Sequence, residues 1–280
     1  MKMDKSVLNA LKDEAFGIRC STIREIASFG SGHIGGSMSI VELLTYLYYR
    51  EMKVDPQNPK MDDRDRLVVS KGHSGPAVYA TLARKGFFPE EWLSTLNQGG
   101  TKLPSHCDMT KTPGVDFTGG SLGQGISAAV GIALGQRLKK QDARTFCIIG
   151  DGESQEGEVW EAAESAGAWK LDNLFVFLDL NGQQLDGYTK DIIPQLHVPE
   201  KWSSFMWDVH EINGQDFEEI EAAINDAKLI KGMPHMIVMN TVKSYGYIPG
   251  EGKKANHSMP ITKEDAEAAI EALAKREGRV

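Results

Sequence analysis

Two near-continuous apolar runs, Thr145 to Gly150 (TFCIIG) and Leu174 to Leu180 (LFVFLDL), constrain this chain more than any other feature. Strands that apolar are buried on both faces, as in a parallel sheet covered by helices on either side. Val159, Ala163 and Ala166 between them are spaced four and three apart, which predicts an amphipathic crossover helix and makes the stretch one βαβ unit. Similar units flank it. Arg66 to Ser70 predicts a short strand ending at Lys71-Gly72-His73, with a helix from about Pro76; Val209 to Ile212 and Met236 to Val242 predict two more strands around a helix carrying Ile220, Ile224 and Ala227. Leu8, Leu11, Ala15 and Ile18 predict a first helix that runs toward Gly30 and opens into the turn GSGHIGG, and Val41, Leu44 and Tyr48 continue the pattern in a second. Ile126, Val130 and Leu134 share a face of a helix that follows GGSLGQG. The expected fold class is therefore α/β, a mostly parallel sheet with helices on both faces, forming a single domain over residues 1–280. Residues 98–117 are polar and punctuated by Gly and Pro, residues 244–258 have no period and read as a mobile loop, and a final helix is capped by Thr262 with Asp265 three positions on.

Charge and hydropathy exclude several functions. The 31 basic and 39 acidic side chains sum to −8, which argues against nucleic acid as a partner. The longest apolar stretch, Ile126 to Gly135, falls far short of the ~20 residues a membrane helix needs. The opening MKMDKSVLNALKDE has charges where a secretory signal has none, so a cytoplasmic setting is expected. Cys20, Cys107 and Cys147 are too scattered for a disulfide framework or a zinc knuckle.

Three motifs carry chemistry. Gly30-Ser31-Gly32-His33-Ile34-Gly35 fits a dinucleotide fingerprint but follows a helix where a strand is required. Gly119-Gly120-Ser121-Leu122-Gly123 fits a hydrolase elbow, with Asp151 and His257 following in triad order, although TPGVDF before it is a poor strand. The third is Gly150-Asp151-Gly152-Glu153 at the end of one strand, with Asn181 at the end of the next. If those strands are neighbours, a carboxylate and a carboxamide oxygen converge on one sheet edge, a donor set suited to Mg²⁺ or Ca²⁺ bridging a diphosphate. Gly152 would let a backbone N–H approach phosphate at the start of a helix near Glu156 or Gly157. The alternative is that Asp151 only caps that helix. His33, His73, His106 and His257 all fall in loops at element ends, suited to hydrogen bonding a phosphorylated or polyhydroxylated ligand and to carrying protons. His197, His210 and His235 lack that setting and read as structural or surface residues.

Taken in order, SGHIGGS, SKGHSGPAVYA, GGSLGQGIS, GDGESQEGEVWEA, the DLNG segment from Asp179, and NHSMP resemble the amino-terminal half of a transketolase over nearly the whole chain. The resemblance implies a thiamin-diphosphate-binding domain in which Asp151, Asn181 and the main-chain carbonyl of Gln183 hold Mg²⁺ or Ca²⁺. It implies that Gly152, His73 and the Gly120-Ser121-Leu122 turn contact the cofactor, that Lys243 helps hold the diphosphate, and that Glu156 joins a hydrogen-bonded link between cofactors at a subunit interface. His33 and His257 would move protons over the thiazolium and sugar hydroxyls, and His106 would bind the donor's terminal hydroxyl. Ile34 departs from a frequent proline, Ser105-His106-Cys107-Asp108 from a Gly-His-Pro-Glu pattern, and Leu180 from a double asparagine. Typical transketolases are more than twice as long, so the resemblance implies a split enzyme, α2β2, whose other subunit carries the pyrimidine-binding half. The activity implied is transfer of a two-carbon ketol unit from a ketose phosphate to an aldose phosphate, with pentose phosphates and branched or sulfonated sugars all open. The α subunit of a 2-oxo acid dehydrogenase E1 shares the metal motif and stands as an alternative, as does a non-catalytic assembly subunit that keeps the pocket.

Overall fold

The computed structural model describes residues 3–280. Five parallel strands form the central sheet: β1 (Arg66–Val69), β2 (Thr145–Gly150), β3 (Leu174–Leu180), β4 (Asp208–Asn213) and β5 (His235–Asn240), in the order β1-β2-β3-β5-β4. The two apolar runs that predicted neighbouring strands are β2 and β3, paired in register with Gly150 opposite Asp179.

Side chains alternate across each strand, and in β1, β2, β3 and β5 both sets are largely buried, whereas the edge strand β4 is only partly covered. Leu67, Val69, Phe146, Ile148, Phe175, Phe177, Ile237 and Met239 enter one core layer. Val68, Cys147, Ile149, Val176, Leu178, Met236 and Val238 enter the other. That double burial is why these four strand sequences carry no polar alternation. Helices α1 (Lys5–Phe29), α2 (Ile34–Met38), α3 (Val41–Tyr46) and α4 (Gly75–Lys85) supply the first layer. Helices α5 (Gln124–Leu138) and α6 (Gly157–Ala168) supply the second, together with α7 (Val198–Ser204), which inserts Val198 and Trp202. Helices α8 (Phe217–Leu229) and α9 (Lys263–Arg276) return to the first layer through Phe217, Ile220, Ile224, Ala266 and Ala269.

Boundaries follow local chemistry. Asp4 accepts from the Ser6 amide at the start of α1, and Gly30 ends the helix in the left-handed region at φ 94°. Thr262 and Asp265 form the expected capping box of α9. On α5 the buried face is Ile126, Ala129, Val130 and Ala133, and Leu134 of the predicted stripe is only half-buried. β5 stops two residues short of the predicted end: the Thr241 amide makes the last bond to the Leu180 carbonyl, the Thr241 hydroxyl turns to Asp179, and Val242 is exposed. The 244–258 segment contains neither helix nor strand, yet Ser244, Tyr247 and Asn256 within it are buried. Among the described residues no helix is long and apolar enough to cross a membrane.

Candidate active site

Because every strand of the sheet runs the same way, the loops after β1, β2, β3 and β5 leave from one edge. They deliver Lys71 and His73, Asp151-Gly152-Glu153, Asn181 and Lys243 to one cavity of about 440 Å³. Its wall also holds His33, His106, Gly120, Leu122, Glu156, Gln183, Gln184 and His257. Nearly all of the residues singled out in the sequence thus meet, from loops as far apart as 33 and 257. Ser121 is the exception: it is exposed and lies outside the lining.

The imidazoles form one cluster. His33 lies with its ring centre 5.5 Å from His73, 5.5 Å from His106 and 5.3 Å from His257, and His73 lies 4.7 Å from His257. Burial lowers the pKa of each, the more so where Lys71 approaches His73 and Lys243 approaches His257, which is brought to about 4. At neutral pH the four rings are therefore neutral, each offering one donor and one acceptor.

Under the cluster lies a polar floor. Asp151 accepts from the Gly152 amide at 2.8 Å through one oxygen and from the Gly182 amide at 2.6 Å through the other. Burial, then the negative Asp179, raises its pKa to about 7. Asp151 does not cap α6. The N-cap is Glu156, whose side chain makes no capping bond. Asn181 accepts from the Gln183 amide at 3.1 Å and donates to Asp179 at 3.0 Å. Gly152 is required for close packing: a Cβ there would sit 2.7 Å from the Gln184 Cβ, and its amide is bonded to Asp151. Lys243 is buried without an ion pair among the described residues, and burial lowers its pKa to about 8.

Two residues that organise the edge escaped the sequence reading. Lys71 and Asp179 form an ion pair at 2.5 Å, 2 % and 0 % exposed. Lys71 also donates to the Gly36 carbonyl at 2.8 Å, and Asp179 accepts from Ser39 at 2.6 Å and from Thr241. Burial alone would raise the Asp179 carboxyl, but Lys71 and these donors hold it below the ordinary aspartate value. Glu153 accepts from Ser70 and from the amides of Gly123 and Gly150, the latter two at 2.9 Å, tying three turns together. The signal of Lys71 and Asp179 in the sequence is a charged residue next to the end of an apolar strand. Gly72 and Gly119 let two of these turns touch, since a Cβ on either would meet the other's backbone at 3.0 to 3.1 Å.

The competing motif readings fail on geometry. No strand precedes Ser121, so the elbow a hydrolase needs is absent from this turn. The 30–35 fingerprint follows α1, as its sequence context indicated. A larger groove of about 820 Å³ beside residues 109–117 has one carboxylate, Asp116, and that is locked to Arg64. His210 and His235 share Asp208 at 3.0 and 2.9 Å, away from the cavity.

Residues 12–276 match the family described as transketolase, thiamine diphosphate binding domain. A 6-deoxy-6-sulfo-D-fructose transketolase subunit of Clostridium sp. is 52 % identical over 265 residues, 95 % of this chain and 96 % of that one. An apulose-4-phosphate transketolase subunit of Phocaeicola vulgatus is 38 % identical over 247 residues, 88 % of this chain and 87 % of that one. Among solved structures, transketolase from Campylobacter jejuni superposes with a TM-score of 0.89 at 31 % identity, over 97 % of this chain and 43 % of that one. Transketolase from Leishmania mexicana gives 0.88 at 33 %, over 94 % and 41 %. The chain thus spans about two fifths of the solved transketolases and nearly all of the separate subunits. It belongs to the transketolase family, as a thiamine diphosphate binding domain and the counterpart of the subunits that carry this domain on a chain of their own.

Proposed function

We propose that this chain is the thiamin-diphosphate-binding subunit of a two-chain transketolase that moves a two-carbon ketol unit from a ketose phosphate to an aldose phosphate. The observation that carries the proposal is that four clustered neutral imidazoles, the Asp151 carboxylate and the Asn181 carboxamide line one cavity. Sugar hydroxyls need neutral donors and acceptors, and a diphosphate needs an oxygen-ligated cation and a lysine.

The residues present fit a Mg²⁺ or Ca²⁺ diphosphate. Asp151, the Asn181 carboxamide and the Gln183 main-chain carbonyl are hard oxygen donors with one negative charge among them, leaving room for phosphate oxygens. A carboxylate raised to about 7 by burial is one that a cation would return to its ionised form. Gln183 and Gln184 each keep a buried side-chain oxygen with no hydrogen-bond partner among the described residues, on the wall of the same cavity. Lys243 would take the diphosphate charge. His73, Gly120, Leu122 and Gly152 would contact the cofactor body, with Glu156 toward a second subunit.

Bound thiamin diphosphate supplies the nucleophilic carbon and the electron sink for making and breaking the carbon–carbon bond. The chain's own part is to orient the sugar and move protons. His33 and His257 take and return hydroxyl protons, and His106 holds the terminal hydroxyl of the donor. The remaining catalytic groups are assigned to a partner chain with the pyrimidine-binding domain, in an α2β2 assembly and in the cytoplasm. Support for a partner comes from relatives that are themselves called subunits.

The test is to co-express this chain with the product of the adjoining reading frame and measure ketol transfer with thiamin diphosphate and Mg²⁺. Transfer is expected from the pair and absent from either chain alone. Asp151→Ala is expected to keep its fold, by circular dichroism, while losing at least tenfold in cofactor affinity by calorimetry. Unchanged affinity in that variant refutes the metal assignment.

A further inference from the structure

The outer wall of the cavity is a strap, residues 185–197, whose Leu185 and Ile193 face the site although both are mostly exposed. From Asp191 to His197 every residue is exposed except Gln195, which turns inward. Its Nε2 donates to the Asp151 carbonyl and, at 2.7 Å, to the Ser154 hydroxyl. Ser154 donates to the same Asp151 carbonyl at 2.7 Å. From the other side, Gln155 Nε2 donates to the Ile193 carbonyl at 3.2 Å. Strap and turn are thus pinned to each other by two carboxamides running in opposite directions.

We infer that Gln195 is a positioning residue for cofactor retention, an assignment that rests on the proposed function above. The peptide joining Asp151 to Gly152 is held at both ends: its carbonyl by Gln195 and Ser154, its N–H by the Asp151 carboxylate. Rotation of that peptide would take the Gly152 N–H away from the Asp151 carboxylate oxygen it holds at 2.8 Å. Gln195 blocks the rotation from 44 residues downstream. The same bond keeps Leu185 and Ile193 against the cavity.

One neutral hydrogen bond contributes about 0.5–1.5 kcal/mol net, a factor of about three to ten in an equilibrium. In the two-chain enzyme, Gln195→Ala and Gln195→Glu are therefore expected to raise the KM for thiamin diphosphate and its rate of release about three- to tenfold, with kcat at saturating cofactor within about twofold of wild type. Gln195→Glu fills the same volume without the N–H donor, so it separates the bond from mere packing. Wild-type values in Gln195→Glu would overturn the assignment, as would a loss confined to kcat. Should that variant not fold, Gln195→Ala carries the test, and an unchanged release rate there overturns the assignment equally. A wild-type pair without cofactor-dependent transfer would overturn the proposed function and this inference with it, whereas a normal wild type with unaltered variants overturns this inference alone.

Discussion

Glu25 lies on the buried face of α1 with neither carboxylate oxygen hydrogen bonded among the described residues, and burial pushes its pKa well above the ordinary value. Above pH 4.5 the native chain keeps a proton that the unfolded chain has released, so the native state loses stability from this group as pH rises. Glu25→Gln keeps the shape and removes the ionisation. Its urea midpoint is expected to exceed wild type at pH 8 and to converge with it toward pH 5; a midpoint below wild type at pH 8 would show that the carboxyl does stabilising work. Lys243 has the opposite consequence for binding. Burial brings its pKa to about 8, so the positive charge that would meet a diphosphate is lost above that pH. Cofactor affinity is expected to fall with a slope of one proton above pH 8, and Lys243→Met should bind weakly with that slope gone, by calorimetry across pH 6.5 to 9.5. Single residues were only partly legible in the sequence. Asp151 and the loop histidines stand at element ends, where a chemical residue has no packing reason to be. Lys71 and Asp179 sit inside motifs that were recognised, but their pairing depends on which strand lies beside which.

At the scale of elements, the segment carrying His257 is anchored by the helix that follows it. Two guanidinium groups lie over the Tyr245 ring, those of Arg19 of α1 and Arg276 of α9, at 5.0 and 5.1 Å from its centre. Arg276 also pairs with Glu251 at 2.8 Å, and Glu251 accepts from the Gly246 amide at 2.6 Å. Contacts this exposed contribute little globally, about 1 kcal/mol or less. Arg276→Ala is therefore expected to leave the melting temperature within a few degrees of wild type while amides 244–251 exchange markedly faster, by hydrogen exchange with mass spectrometry. Unchanged protection there would rule out α9 as the anchor. The period of the sequence made helices and strands legible, with boundaries off by a residue or two. The pinned strap was not legible, because its polar and apolar residues follow no period, and neither was the packing of the 244–258 segment, whose buried Ser244, Tyr247 and Asn256 follow no regular spacing.

Across the whole molecule, one sheet carries both core layers. β2, β3 and β5 place successive side chains in opposite layers, so losing either layer exposes half of each strand. Trp202 and Trp207 lie in the second layer, and Trp92 packs against the first. Unfolding in urea followed by tryptophan fluorescence and by far-ultraviolet circular dichroism is expected to give coincident midpoints; two separated transitions would show that the layers are independent. Periodicity and apolar runs alone were enough for the α/β class, the parallel sheet, the neighbouring central strands and the ends from which chemistry emerges, because those follow from local residue spacing and from burial on both faces. The clustering of His33, His73, His106 and His257, the Lys71–Asp179 pair and the hold of Gln195 on Asp151 had to await the folded chain. Each is a contact between distant segments, and its distance is set by strand order and loop path, which residue spacing along a chain does not encode.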